Sequence, residues 1–176
     1  MISNRTLAII GFGVLGFLLF RSEQRMDRIE EKLDDIIHTR ETVKYTEQDV
    51  DCLTKNIYYE AGVEDRAGKY AVAHVTINRL KTGYWGKDIC KVVYSKAQFS
   101  WTLSKKLPKP NKTLWAESRR VAENALNGHR VRGLHRSLFY HADYIKTPKW
   151  ADTNERVTQI GQHIFYNKAR NSWLTL

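Results

Sequence analysis

The residues best suited to chemistry in this chain stand in the run Tyr58-Tyr59-Glu60-Ala61-Gly62-Val63-Glu64. Glu60 follows two aromatic residues and lies three positions beyond Ile57, at the edge of an apolar helical stripe. A carboxyl group against aromatic and apolar surface loses hydration, which disfavours its charged form and raises its pKa. A general acid that protonates an ether oxygen near neutral pH needs such a shift. A glutamate at this position could equally cap or salt-bridge a helix end, and composition alone does not separate the two roles. Glu64 falls four residues later, on the same side if the helix continues, where it would be a second carboxylate or an orienter. Gly62 intervenes, however, and a new helix begins nearby, so a helix-start glutamate favoured by the dipole is the simpler reading.

Aromatic residues crowd the second half of the chain: Trp85, Phe99, Trp101, Phe139, Tyr140, Tyr144, Trp150 and Tyr166. Rings with polar tips make good walls for the apolar faces of sugars. Most such residues build cores, and Trp101 and Tyr140 are the candidates for a groove. His135 and His141 could be metal ligands, but no HExxH or Cys-His cluster accompanies them, so neither metal nor cofactor is expected. Cys52 and Cys90 form either one disulfide or two buried thiols, according to compartment.

The elements that must position these groups are legible from periodicity. Thr46 caps a helix on which Val50, Leu53, Ile57 and Ala61 share one face. A second helix, from about Arg66 to Leu80, is apolar on most sides and should be central. A third, from about Lys112 to Asn127, is stopped by Gly128. Strand-like runs follow at Ser137–His141 and His163–Tyr166, and the segment 104–111, with Pro108 and Pro110, reads as a loop. The expectation is a mostly helical α+β domain over residues 46–176.

Upstream, residues 7–20 are apolar and flanked by Arg5 and Arg21. The run is short for a membrane span, and it ends Phe-Leu-Leu-Phe-Arg, a poor cleavage site. Residues 1–21 are therefore read as an uncleaved signal anchor in the cytoplasmic membrane. Residues 22–45 read as a helical stalk, whose seam of Met26, Ile29, Leu33 and Ile36 has heptad spacing and allows weak self-association. Arg21, Arg25, Arg28 and Lys32 follow the anchor, so a positive-inside count opposes an exported domain. With 29 Lys and Arg against 19 Asp and Glu, the formal net charge is +10. That surplus suits an anionic partner, either a lipid surface or a cell-wall polymer. No zinc-finger, RNA-binding aromatic or basic-zipper pattern is present, so nucleic acid is not expected.

Seven ordered blocks between Cys52 and Asn167 resemble the SleB-type cell wall hydrolases. Cys52-Leu-Thr-Lys-Asn-Ile-Tyr-Tyr-Glu-Ala-Gly-Val-Glu64 resembles the opening motif, an asparagine and an aromatic pair before Glu-Ala-x-x-Glu. Ala71–Arg79 resembles the next helix, ending in Asn-Arg. Ile89–Tyr94, Gln98–Trp101, Leu138–Ala142, Pro148–Trp150 and Ile160–Tyr166 resemble the remaining five. Many members carry Arg-Gly before the second Glu, where this chain has Gly62-Val63. The resemblance implies a domain related to goose-type lysozyme and the lytic transglycosylases, acting on peptidoglycan at the N-acetylmuramic acid–N-acetylglucosamine bond. It places Glu60 on the catalytic glutamate, and Glu64, Gln98, Ser100, Trp101, Tyr140 and His141 near it. A substrate outside the cytoplasmic membrane implies an extracytoplasmic domain, and there a Cys52–Cys90 disulfide would tie the Glu60 helix to the wall before Gln98. The alternatives are a tethered, non-catalytic glycan-binding module and an amidase cutting the peptide stem.

Overall fold

The computed structural model describes residues 43–169 except Ala97, together with residues 19–26, 28, 29 and 33. The chain divides into two compact units, residues 1–37 and 38–176. In the first, the described residues are helical, and Leu19, Phe20, Met26, Ile29 and Leu33 are all exposed. Residues 1–18 of the expected anchor and Ile36 of the expected seam lie outside the described residues. Among the described residues no helix is long and apolar enough to cross a membrane.

The described residues of the second unit form four α-helices, two short 3-10 turns and one sheet. Helix α1 spans Glu47–Ala61, α2 Arg66–Thr82, α3 Ile89–Val93 and α4 Lys112–Leu126. Strands β1 (Ser137–Ala142), β2 (Glu155–Ile160) and β3 (His163–Asn167) form an antiparallel sheet in the order β1-β3-β2. The α+β, mostly helical expectation holds.

Thr46 and Asp49 close a reciprocal capping box on α1. Such a box satisfies two of the amide donors that a helix start leaves unpaired. Asp49 also accepts from the Ile89 amide at 3.0 Å, so the same carboxylate seats α3 against α1. The predicted stripe of Val50, Leu53, Ile57 and Ala61 is buried. Val50, Leu53 and Ile57 cluster with Ala73 and Ile77 of α2, Val121 and Ala125 of α4, and Phe99 and Trp101 of the connecting segment. Helix α2 is buried without interruption from Gly68 to Arg79, as a central helix must be. A second, smaller cluster joins Ala71 and Val75 of α2 to Leu134 and Phe165, and so seats the sheet on α2.

Two cross-links fix α1 and β1 in place. Cys52 and Cys90 form a disulfide with a Cα–Cα distance of 5.2 Å, joining α1 to α3. Asn78 Nδ2 donates to the carbonyls of Leu134 (2.7 Å) and Ser137 (3.0 Å), and Arg79 Nε donates to that of Leu138 (2.8 Å). The Asn-Arg pair at the end of α2 thereby holds the start of β1. Two elements were not predicted from the sequence. Helix α3 is too short to show a periodicity, and β2 is an edge strand with polar residues on both faces.

Candidate active site

Glu60 occupies the last turn of α1, half-buried, with its Oε2 accepting a hydrogen bond from Tyr140 Oη at 3.0 Å. Three elements converge here: α1 supplies Glu60, β1 supplies Tyr140, and α2 supplies Arg79. Burial raises the Glu60 pKa above the ordinary carboxylate range, opposed by the Tyr140 hydrogen bond and the Arg79 charge. No basic residue lies in the last turn of α1, so the negative end of the helix dipole also favours the neutral acid. Tyr140 is itself pushed well above its ordinary pKa by burial and by the Glu60 charge, and it stays a hydrogen-bond donor. The site thus keeps one carboxyl group ready to hold a proton and places a donor to steady the anion left when the proton departs.

Arg79 is 5% exposed. Its guanidinium lies between Trp85 and Phe99, 5.4 and 5.2 Å from their ring centres. Beside it opens a cavity of about 840 Å³, lined among others by Arg79, Tyr84, Trp85, Gln98, Phe139, Tyr140, Trp150 and Lys168. Glu60 is not a lining residue; Tyr140 is, and its hydroxyl carries the link between cavity and acid.

Glu64 does not lie beside Glu60 on a continuing helix. Helix α1 ends at Ala61, and the cap of α2 is Asp65, which accepts from the Gly68 amide at 2.8 Å. Glu64 therefore stands at the start of α2, as expected, one residue before the side chain that caps it. The Glu64 side chain is 6% exposed and meets His163 Nδ1 at 2.7 Å. Its Oε2 is buried without a hydrogen-bond partner. A Cβ added at Gly68 or at Gly161 would come within 2.0 or 2.1 Å of that oxygen. Two glycines thus make room for the carboxylate, and the one in the β2–β3 turn also adopts a left-handed φ of 57°. Lys69 clamps the same loop, donating to the Glu64 carbonyl (2.8 Å) and to Glu117 (2.9 Å). His163 is held below its ordinary pKa by burial, against the pull of Glu64, and its ring meets Tyr140 edge-on at 4.9 Å. Glu64 therefore supports Tyr140 through His163 from an enclosed seat.

The other expected site residues separate. Gln98 and Tyr140 line the cavity. Ser100 is exposed at the start of a short 3-10 turn and is not among the lining residues. Trp101 is a buried support rather than an open groove wall. Its Nε1 donates to Asn56 Oδ1 at 3.1 Å, and its ring stacks on Tyr59 at 5.0 Å. His141 points to the other face of β1 from Tyr140, as strand alternation dictates. Its two ring nitrogens meet the Ala142 carbonyl (2.9 Å) and Tyr166 Oη (3.0 Å). Among the described residues no three or more His, Cys, Asp and Glu side chains converge as metal ligands would. Arg79 and His163 were not picked out as site residues from the sequence. A polar Asn-Arg pair near the end of a largely apolar helix was a usable signal for Arg79; His163 had only its place in the Ile160–Tyr166 block.

Residues 63–166 match the Cell Wall Hydrolase family. This chain belongs to that family. Glu60 stands three residues before the matched stretch, so its part in the site rests on its surroundings. Among the relatives of this chain is a spore cortex-lytic enzyme from Oceanobacillus iheyensis, 28% identical over 125 residues, which cover 69% of this chain and 42% of the relative. Another, from Bacillus cereus, is 26% identical over 122 residues, covering 69% and 45%. The chain therefore spans under half the length of these relatives. The crystal structure of the catalytic domain of the Bacillus cereus SleB protein matches with a TM-score of 0.60 and 25% identity, over 70% of this chain and 93% of that one. The catalytic domain of the germination-specific lytic transglycosylase SleB from Bacillus anthracis shares the fold, with a TM-score of 0.57 and 24% identity over 70% and 97%.

Proposed function

We propose that this domain cuts the glycan strand of peptidoglycan at the N-acetylmuramic acid–N-acetylglucosamine bond, with Glu60 as its single acid and base. The observation that carries the reading is the contrast between the two glutamates. Glu60 is half-buried, with a raised pKa and a tyrosine donor, whereas Glu64 is shut between Gly68, Gly161 and His163. Ordinary glycosidases need two carboxyl groups flanking the bond, and an enclosed Glu64 is poorly placed to be the second. The relatives named for cortex lysis and lytic transglycosylation support a route that manages with one. In that route Glu60 gives its proton to the glycosidic oxygen as the bond from the muramyl anomeric carbon breaks. The resulting carboxylate, held by Tyr140, takes the proton of the muramyl 6-hydroxyl as that oxygen attacks the same carbon. An internal anhydro ring closes, and Glu60 is protonated again.

Mass spectrometry of products from purified sacculi tests this. Anhydromuramic ends are expected, and Glu60→Gln should lower their release at least 100-fold, within the range general acid–base catalysis supplies. Reducing muramic ends, free stem peptides or an activity loss below tenfold in the variant would each reject it. We further propose that residues 1–21 anchor the domain to the cytoplasmic membrane, that the stalk of residues 22–45 self-associates weakly, and that the domain works outside that membrane. Protease access in intact spheroplasts reads the topology.

A further inference from the structure

Arg79, one of the residues lining the cavity beside Tyr140, has an unused donor. Arg79 Nη1 is buried and makes no hydrogen bond, although the same side chain spends Nε on the Leu138 carbonyl. A buried guanidinium with an unpaired N–H bears a desolvation cost that a bound oxygen would offset. Nor does a fixed counter-ion answer the charge when it matters. The acid step requires Glu60 protonated, and a neutral Glu60 leaves Arg79 without a carboxylate beside it. Lys168 adds a second positive charge to the cavity, and no acidic residue is among its described lining residues. Trp85, Phe139 and Trp150 supply apolar walls, with Trp85 and Trp150 each in ring contact with Phe139. Positive charge at the base and aromatic rings on the sides describe a receptor for an acidic saccharide rather than a neutral one.

We propose that this cavity is a subsite for a carboxylate borne on the muramyl side chain, received by Arg79 Nη1. The inference rests on the peptidoglycan reading and adds what the enzyme recognises there. The carboxylate has two sources in that polymer, the lactyl group of a muramic residue without its peptide and the acidic groups of an attached stem. Either would complete the Arg79 fork. A neutral N-acetylglucosamine oligomer would not.

Calorimetric binding to the full-length Glu60→Gln protein tests this, because the amide copies the neutral acid and prevents turnover. The probes are glucosaminyl-muramyl tetrasaccharides with a free lactyl carboxylate, with that carboxylate capped as its methylamide, and with intact stem peptides, alongside an N-acetylglucosamine tetramer. A carboxylate form should bind about tenfold tighter than the capped form, the scale of a charge-assisted hydrogen bond. Whichever carboxylate form gains identifies the source. Adding Arg79→Met should erase the preference for the carboxylate form over the capped form. Equal binding of acid and methylamide, or no measurable binding of any carboxylate form, overturns the proposal. Since that comparison is made within one protein, it stands even where Arg79→Met fails to fold. Sacculus cleavage by the wild type reads the parent function separately, so an active enzyme without acid preference rejects only the subsite.

Discussion

Tyr140→Phe deletes a single oxygen from the site and leaves the ring in place against His163 and Phe165. What is lost is the 3.0 Å hydrogen bond to Glu60 Oε2. Hydrogen bonds to charged partners contribute about 1.5–3 kcal/mol. In the proposed mechanism that bond strengthens as Glu60 becomes an anion, so its loss falls on the transition state. At 1.36 kcal/mol per tenfold, the rate should drop roughly 10- to 150-fold. The pH dependence supplies a second signature. The Tyr140 bond works against the raised Glu60 pKa, so removing it lifts that pKa further. Activity that needs a protonated Glu60 declines as pH rises through this value, and the alkaline limb of kcat/KM should therefore move to higher pH in the variant. Initial rates of muropeptide release from purified sacculi across pH measure both effects, and a melting curve confirms that the fold is intact. A loss under threefold with an unmoved limb would refute the part given to Tyr140.

Glu64→Gln should cost about 1.5–3 kcal/mol in urea denaturation, because the buried carboxylate meets His163 at 2.7 Å. It should lower activity far less than Glu60→Gln does, and equal losses would argue for two working carboxylates. Reducing the Cys52–Cys90 bridge should destabilise the domain by roughly 4 kcal/mol for a separation of 38 residues; two free thiols in protein made in an oxidising compartment would contradict the bridge. Glu60→Gln should melt higher than the wild type at neutral pH. The folded state holds the Glu60 proton more tightly than the unfolded chain does, so wild-type stability falls as pH rises above the unfolded value near 4.5. The difference should vanish below that pH, and an unchanged gap in acid would rule out burial of the Glu60 charge as its cause.

The framework of the domain could be read from the sequence because its helices obey simple local rules. The Thr46 cap, the stripe from Val50 to Ala61 and the all-round apolar character of Ala71–Ile77 each have a short-range cause, and each recurs in the structure. Glu60 was legible for the same reason, since its aromatic neighbours and the end of the stripe lie within a few residues of it. The contacts that support it were not. Tyr140 reaches Glu60 across 80 residues of chain, and His163 reaches Glu64 across 99. No periodicity links such positions. Gly161 shows the same limit: a glycine in a tight turn is easy to expect, whereas its second duty, leaving space for the Glu64 carboxylate, depends on a loop nearly a hundred residues upstream.

Asn78 and Arg79 show how one short polar pair joins fold to site. Helix α2 stays buried as far as Arg79 and then surfaces at Lys81 and Thr82. Here its C-terminal end carries an amide and a guanidinium, both buried, and both give hydrogen bonds to the segment leading into β1. Those bonds bring β1 to α2, and strand alternation then turns Tyr140 toward Glu60 and His141 away from it. Lysine could not replace Arg79 in this arrangement. A point ammonium has no planar fork with which to bond the Leu138 carbonyl through one nitrogen while keeping another unpaired between Trp85 and Phe99. The register that brings Tyr140 to the acid and the charge that faces the cavity therefore come from the same side chain. Substitution at Arg79 should disturb the placement of Tyr140 and the selectivity for acidic ligands together, whereas Tyr140→Phe should alter the acid and leave that selectivity in place.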